Sequence, residues 1–301
     1  MARLVFLRRR LLRGCRPIGT VWLAVLPLLL SGCAVSEKHA VPPAQVRPAL
    51  EATADQLIAL YNQQARAVRS INAGVEIVPV AGSSYSGVIE EYHDVRGFIL
   101  AQKPAHIRMI GQAPVVAKNV FDMVSDGETF RIFIPPKNKF ITGPAAFERP
   151  AKKPIENLRP QHLLDALFWP ELEPGKTVLF EEFNAEPARY YVLTLLRGSG
   201  TLEIARKIWF DRTDLSIARV QLYGPGGRLV SEIRYADWQP AADVRYPRHI
   251  WLERPHDDYR LEVRITRLQL NEEIAAERFR LEPPPGVELV RMGVGDAAEK
   301  P

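Results

Sequence analysis

Apolar and polar residues alternate along most of this chain with the two-residue period of β-strands. The alternation is clearest at 259–270, where Leu261, Val263 and Ile265 share one face and polar side chains occupy the other. Clusters of Gly, Pro, Asn and Asp separate the runs, as is typical of turns. The predicted strands are 74–80, 87–101, 105–111, 120–125, 129–134, 139–143, 177–184, 188–196, 202–211, 217–223, 229–238, 248–254 and 259–270.

Ahead of the strands, one stretch has the period of an amphipathic helix. Thr53 and Gln56 are spaced as in a capping box, in which each side chain binds a free backbone NH of the first turn. The apolar residues that follow at helical spacing are Leu57, Leu60, Tyr61 and Val68. They form one stripe, so a helix is predicted at about 54–70, and such a stripe usually faces a core.

A second helix is predicted between the two groups of strands, at 159–169. Pro160 lies in its first turn, where proline is tolerated, and Pro170 ends it. Its apolar face consists of Leu163, Leu164, Leu167 and Phe168. The chain is therefore expected to be mainly β, with two amphipathic helices.

These elements predict a curled antiparallel sheet that helices cover. A sheet of about a dozen strands has to curl or close to protect its edges, and the helices would then cover its apolar inner face. No long linker divides the strands, so one domain is expected at 53–290. Three prolines at 283–285 are expected to stop regular structure, and 291–301 to form a disordered tail.

The N-terminal residues add a signal for membrane attachment. An arginine-rich start is followed by a short apolar run at 21–30, well below the roughly 20 residues that span a bilayer. The sequence Leu30, Ser31, Gly32 and Cys33 then resembles a bacterial lipobox. We expect 1–32 to be removed as a signal peptide, Cys33 to be acylated and 33–52 to form a flexible tether. An uncleaved anchor helix, or an ordinary signal peptide with an incidental cysteine, is the alternative.

Removal of the signal peptide changes the charge of the protein. Six of the 40 basic residues and none of the 35 acidic residues precede Cys33, which leaves 34 basic against 35 acidic residues. Without a basic surface the chain lacks the electrostatic footprint of nucleic-acid binding. Cys33 is also the single cysteine left, so no disulfide and no cysteine-based metal site is expected.

Strand and turn motifs in both halves of the chain carry a resemblance to a known family. In the second half they are 208–220 (IWFDRTDLSIARV), 226–227 (GG), 233–238 (IRYADW) and 246–250 (YPRHI). In the first half they are 97–100 (GFIL), Lys103-Pro104 and 125–127 (SDG). The chain resembles the bacterial lipoprotein-carrier (LolA/LolB) superfamily over roughly 57–290. The motifs are patterned strands and turns rather than catalytic residues.

The resemblance implies a half-open antiparallel barrel, lidded by helices, with an apolar cavity for acyl chains. Lipid or lipoprotein acyl chains and a periplasmic carrier protein are the implied partners, with no cofactor and no metal. The outer-membrane receptor of the family is itself a lipoprotein, so Cys33 places this chain nearer to the receptor than to the soluble carrier. We expect the covering helices to contribute six side chains to the cavity, namely Leu57, Leu60, Tyr61, Leu163, Leu167 and Phe168.

Two further positions follow from the same resemblance. The receptor has a protruding apolar loop that contacts the membrane, and its counterpart here contains Pro114, Val115 and Val116. An ordinary hairpin with its valines tucked inward is an equal alternative. The carrier has an arginine where this chain has Lys103, and because lysine lacks the forked donors of arginine, carrier-style gating of the lid is not expected.

Three constellations that resemble catalytic or metal sites are better explained as structural features. The segment 82–87 (GSSYSG) misses the nucleophile-elbow spacing by one residue and lies between antiparallel strands. Glu181 and Glu182 are neighbours on a strand, so they point to opposite faces. His256 and its two aspartates have no second histidine or cysteine at ligand spacing. No enzyme activity is predicted.

The expected function is acyl-chain or lipoprotein binding on the periplasmic face of the outer membrane. Ala34 follows Cys33 in place of aspartate, which favours the outer membrane under the sorting rule that the resemblance suggests. The alternative is an envelope-assembly or scaffold lipoprotein that uses the same fold for protein docking. A filled barrel would favour the scaffold, and an apolar cavity of a few hundred Å³ the binding protein.

Overall fold

The structure is a computed structural model that describes residues 48–83, 88–91, 95–113, 118–145, 158–173, 175–185 and 188–292. The predicted lipidation residue Cys33 and the loop residues Pro114, Val115 and Val116 lie outside the described residues. The helices are α1 (Ala54–Ala67) and α2 (Pro160–Leu167). The strands are β1 (Ser70–Ser83), β2 (Val88–Glu91), β3 (Val95–Gln102), β4 (His106–Gln112), β5 (Asn119–Ser125), β6 (Thr129–Ile134), β7 (Lys139–Pro144), β8 (Val178–Ala185), β9 (Ala188–Arg197), β10 (Glu203–Asp211), β11 (Ile217–Tyr223), β12 (Leu229–Ala241), β13 (Val244–Arg254), β14 (Tyr259–Leu270) and β15 (Glu288–Arg291).

The strands form one large, curled and unclosed sheet, as the sequence predicts. Its order is β15-β7-β6-β5-β4-β3-β1-β14-β13-β12-β11-β10-β9-β8, and β2 pairs with β1 beside this path. Strand β1 joins the two halves, since it pairs with β3 on one side and β14 on the other. Every pairing in the described residues is antiparallel except that of β15 with β7. The predicted fold class, a half-open barrel with covering helices, is confirmed.

Two strands differ from the sequence-based prediction. The predicted strand 87–101 is divided into β2 and β3, which pair with different parts of β1. Strand β15 follows the three prolines, where an irregular chain was expected. It forms because Asn138 accepts the backbone NH of Glu288 and Thr142 accepts that of Met292, which guides the segment along β7.

Helix α1 begins with the predicted capping box. The Thr53 hydroxyl accepts the backbone NH of Gln56 at 3.3 Å, and the Gln56 side chain accepts the NH of Thr53 at 2.8 Å. Both free amides are thereby satisfied. The helix buries Leu57, Tyr61 and Ala65 and ends before Val68, which has an extended conformation.

The sheet places one apolar face inward, and α2 packs against it. On β14, Leu261, Val263 and Ile265 are buried whereas Arg264 and Thr266 are exposed, so the predicted alternation is confirmed. The Tyr235 hydroxyl donates to the carbonyl of Ala166 and the Tyr246 hydroxyl to that of Leu167. These bonds satisfy carbonyls at the end of α2 that no helical NH reaches.

Candidate functional site

A cavity of about 600 Å³ lies on the inner face of the sheet. It is lined by side chains from β1, β3–β7, β14 and β15 and by two residues that precede α2. The inward positions of β6 show how the lining arises, because Phe130, Ile132 and Ile134 alternate with outward residues. On β7, Ile141 pairs with Ile132 and also lines the cavity. Regular strand alternation thus produces a mostly apolar wall.

One aromatic ring of this wall occupies space that is free because the residue opposite it is a glycine. Gly111 on β4 pairs with Phe121 on β5. A Cβ at Gly111 would lie 2.3 Å from the Phe121 ring, far inside van der Waals contact. Phe121 lines the cavity together with Met109 and Met123. Because methionine is flexible and polarizable, these two side chains can adapt to apolar ligands of irregular shape.

The charged side chains of the cavity wall are Lys137, Lys139 and Arg159. Nζ of Lys139 lies 3.1 Å from a carboxylate oxygen of Glu288, and both side chains are partly exposed. Arg159 is only 7% exposed, and its guanidinium carbon lies 5.9 Å from the centre of the Phe130 ring. Burial lowers the pKa of Arg159, while Tyr259 and Asp257 favour its charged form.

A largely buried pair of polar residues connects α2 to β14. Nδ1 of His162 lies 2.5 Å from the hydroxyl oxygen of Tyr259. Burial lowers the pKa of His162 to about 3, with smaller contributions from Arg254 and Arg159. Burial also raises the pKa of Tyr259. Both groups are therefore neutral near pH 7, and their hydrogen bond fixes α2 relative to the sheet.

The six side chains that we predicted for the cavity occupy other places in the structure. Five of them belong to the buried core between the helices and the sheet, namely Leu57, Tyr61, Leu163, Leu167 and Phe168. The sixth, Leu60, is 41% exposed. None of the six is among the residues that line the cavity. The lining comes from strands instead, and the alternation along 129–134 and 120–125 was the signal available in the sequence.

Lys103 contacts both helical segments. Its Nζ donates to the carbonyl of Ala65 in the last turn of α1 at 2.5 Å. The same atom lies 5.5 Å from the centre of the Phe168 ring, at the end of α2. Burial lowers the pKa of Lys103, and Glu171 counteracts this shift. The Lys103 ammonium group therefore connects α1 to the end of α2 through a single charged nitrogen, without the forked contact that an arginine would make.

Two of the constellations that were interpreted as structural, the glutamate pair on β8 and the group around His256, are partly or fully exposed. Strand β8 is exposed along nearly its whole length, and Glu182 on it pairs with Arg212. Asp257, next to His256, lies 2.7 Å from Nε of Arg254 in the turn between β13 and β14. Across the described ranges, no three His, Cys, Asp or Glu side chains cluster in a way that could hold a metal ion. Residues 84–87 lie outside these ranges.

Neither described helix has the length and apolar composition needed to cross a bilayer.

No protein-family model matches the chain, and a search of curated proteins found no match. Solved structures match with probability 1.00. A DUF1329 family protein from Desulfovibrio piger is 11% identical with a TM-score of 0.49, over 74% of this chain and 94% of its own. A LolA superfamily protein from Nitrosomonas europaea is 13% identical with a TM-score of 0.46, over 77% and 99%. A domain named as a candidate outer membrane lipoprotein-sorting protein, from Vibrio parahaemolyticus, is 11% identical with a TM-score of 0.45, over 74% and 94%.

The LolA superfamily is also the family that the sequence resembles. The curled, unclosed sheet with its two helices has the architecture which that resemblance implies.

Proposed function

We propose that this protein is a periplasmic lipoprotein, anchored to the outer membrane by acylated Cys33. It binds acyl chains or the lipidated N-terminus of another protein, and so serves lipoprotein transport or localisation. A periplasmic carrier protein that delivers the ligand is its proposed partner. The observation that carries the proposal is the cavity of about 600 Å³ with its mostly apolar wall.

The size and lining of the cavity suit an acyl chain. Ligand pockets in proteins measure about 300 to 1,000 Å³ and are mostly apolar. Each CH₂ group that leaves water contributes roughly 0.8 kcal/mol to binding. A chain of several methylenes can therefore be held without covalent chemistry, and Met109 and Met123 allow the wall to adapt to it.

The cavity also distinguishes the proposal from a purely structural role. The helices already fill the part of the sheet around β12 and β13, where Trp169 stacks with Trp238 at a centroid distance of 5.9 Å. The cavity adjoins β3–β7, where its lining is mostly apolar and includes no residue of either helix. An unfilled apolar volume costs packing energy, and a bound ligand would restore those contacts.

Photocrosslinking tests the proposal. The purified chain in lipid nanodiscs is incubated with a photoreactive lipoprotein and with a photoreactive palmitoyl ligand, and labelled peptides are mapped by mass spectrometry. Labels are expected on β4–β6. Ile132→Trp adds bulk inside the cavity, so labelling should fall at least about fivefold, which corresponds to a loss of about 1 kcal/mol.

Arg131→Trp is the matched control, because Arg131 is the neighbouring residue on the exposed face of β6. It should label like the unaltered chain. Labelling no greater than that of an unrelated β-sheet protein, or an equal loss in both variants, would contradict acyl-chain binding.

One observation favours the alternative, a docking scaffold with the same fold. Strand β8 is at the edge of the sheet, and Leu179, Phe180 and Phe183 on it are exposed. An exposed apolar edge strand can pair with a strand of another protein. A cavity that takes no label, together with a partner crosslinked to β8, would support this alternative.

A further inference from the structure

All charged residues that line the described part of the cavity wall are basic. Its charged residues are Lys137, Lys139 and Arg159, and the described part of the wall contributes no carboxylate. An apolar cavity with only basic charges is complementary to a ligand that combines an apolar chain with an anionic group. The position of each basic group decides where that anion can lie.

The basic groups lie at opposite ends of the wall. Lys139 pairs with Ile134, the last residue of β6, and Lys137 belongs to the turn that follows. Arg159 lies over Phe130 at the other end of the strand. Four residues of a strand span about 13 Å. The apolar side chain of Ile132 lies between the two ends.

The turn that carries the lysines is held in place by backbone contacts. Asn138 has a left-handed conformation with φ of 46°, and its NH donates to the carbonyl of Pro135 at 3.0 Å. Its side-chain amide donates to the carbonyl of Gly286 at 3.0 Å. The backbone NH of Glu288 donates to the carbonyl of Asn138, also at 3.0 Å. The backbone on either side of Asn138 is thus fixed before any ligand binds, which reduces the entropic cost of binding.

The lysine end, rather than the arginine end, is available to an anion. Lys137 is exposed, and no described carboxylate lies within salt-bridge distance of it. Lys139 shares its charge with Glu288, so the two lysines and this glutamate leave one positive charge. Arg159 is buried, and Asp257 already stabilises its charge. An anion there would also have to give up most of its hydration.

We infer that the cavity takes a single-chain anionic amphiphile whose carboxylate or phosphate group lies against Lys137 and Lys139. Its acyl chain extends along β6, past Ile134 and Ile132 towards Phe130. This inference rests on the proposed acyl-chain binding and adds selectivity for the head group. The same chemistry is found in free fatty acids and in monoacyl phospholipids, and the experiment separates these sources.

Four photoreactive ligands of equal chain length test the inference on the full chain in nanodiscs. They are a fatty acid, a lysophosphatidic acid, a monoacylglycerol and a lysophosphatidylcholine. The two anionic ligands should label β4–β6 about fivefold more strongly than the neutral and zwitterionic ligands, as expected for a partly exposed ion pair. Whichever anionic ligand labels more strongly identifies the preferred head group. Lys137→Glu should remove the preference, because labelling by the two anionic ligands should fall more than labelling by monoacylglycerol.

Arg131→Glu changes the net charge equally but lies on the outer face of β6, so it should leave the preference intact. Equal labelling by all four ligands would overturn the head-group inference and leave acyl-chain binding standing. Loss of the preference in both variants would show a general field effect and overturn it as well. If no ligand labels the cavity, the proposed function fails too.

Discussion

His162 is kept neutral by its surroundings in the folded protein. Burial, with Arg254 and Arg159 nearby, lowers its pKa from 6.5 to about 3, and its Nδ1 shares a hydrogen bond with Tyr259. In the unfolded chain the imidazole regains its ordinary pKa. Between pH 6.5 and about 3, the unfolded state therefore binds a proton that the folded state does not. As the pH decreases, this protonation lowers the free energy of the unfolded state relative to that of the folded state.

We therefore expect the free energy of unfolding to fall by up to about 1.4 kcal/mol per pH unit on acidification through this range. His162→Asn removes the titrating group and should reduce this slope, although it also lowers stability near pH 7. Urea unfolding at several pH values between 4 and 7 measures the slope directly.

His256→Asn provides the control for this experiment, because His256 is exposed in the turn between β13 and β14. Its slope should equal that of the unaltered protein. Equal slopes in all three proteins would show that His162 does not carry the acid sensitivity.

At the scale of elements, the start of α1 depends on two reciprocal hydrogen bonds between Thr53 and Gln56. Thr53→Ala removes one of them and exposes the Gln56 NH, so it should lower the free energy of unfolding by about 1 kcal/mol. Thr53→Ser keeps the acceptor oxygen and should be nearly neutral. Denaturant unfolding of both variants measures the difference. An equally large loss in Thr53→Ser would assign the effect to the lost methyl group instead of the cap.

This capping box illustrates which elements the sequence alone could predict. Local sequence patterns predict the capping box. They likewise predict the start of α2, which has Pro160 in its first turn, and the alternating faces of β14. The break between β2 and β3 could not be predicted from apolar composition, because it depends on which part of β1 each strand pairs with. Strand β15 depends on hydrogen bonds to β7, about 150 residues earlier in the chain.

The cavity could be predicted as a feature of the fold but not at the level of its residues. Periodicity shows that Leu57 and Leu163 belong to apolar faces, but an apolar face can meet either protein or open space. Packing decides between them, and here these faces meet the core. The cavity wall comes from strands such as β6, where the same alternation is present in the sequence. The position of the helices on the sheet determines which strands they leave uncovered.

At the scale of the molecule, an aromatic cluster beside α2 and the cavity lie on different strands of the sheet. The helices pack tightly near β12 and β13, where Trp169, Tyr235 and Tyr246 form an aromatic cluster. The cavity adjoins β3–β7 and β15. Substitutions in the aromatic cluster would remove many contacts at once, and so would substitutions of Met109, Met123 and Phe130, which line the cavity and are buried. Ile132 is only partly buried and Lys137 is exposed, so ligand preference can change at these two positions with less cost to the fold.

The proposed lipid anchor at Cys33 can be tested by substitution. Cys33→Ser should abolish palmitate incorporation and leave the N-terminal peptide extending upstream of residue 33, because the lipobox cysteine is both the acylation site and the cleavage boundary. Metabolic labelling with palmitate and mass spectrometry of the N-terminus measure the two effects. The chain offers its own control in Cys15, which precedes the expected cleavage point. Cys15→Ser should give an acylated N-terminus at residue 33, whereas a mature product with a free Cys33, or one cleaved elsewhere, would refute the anchor.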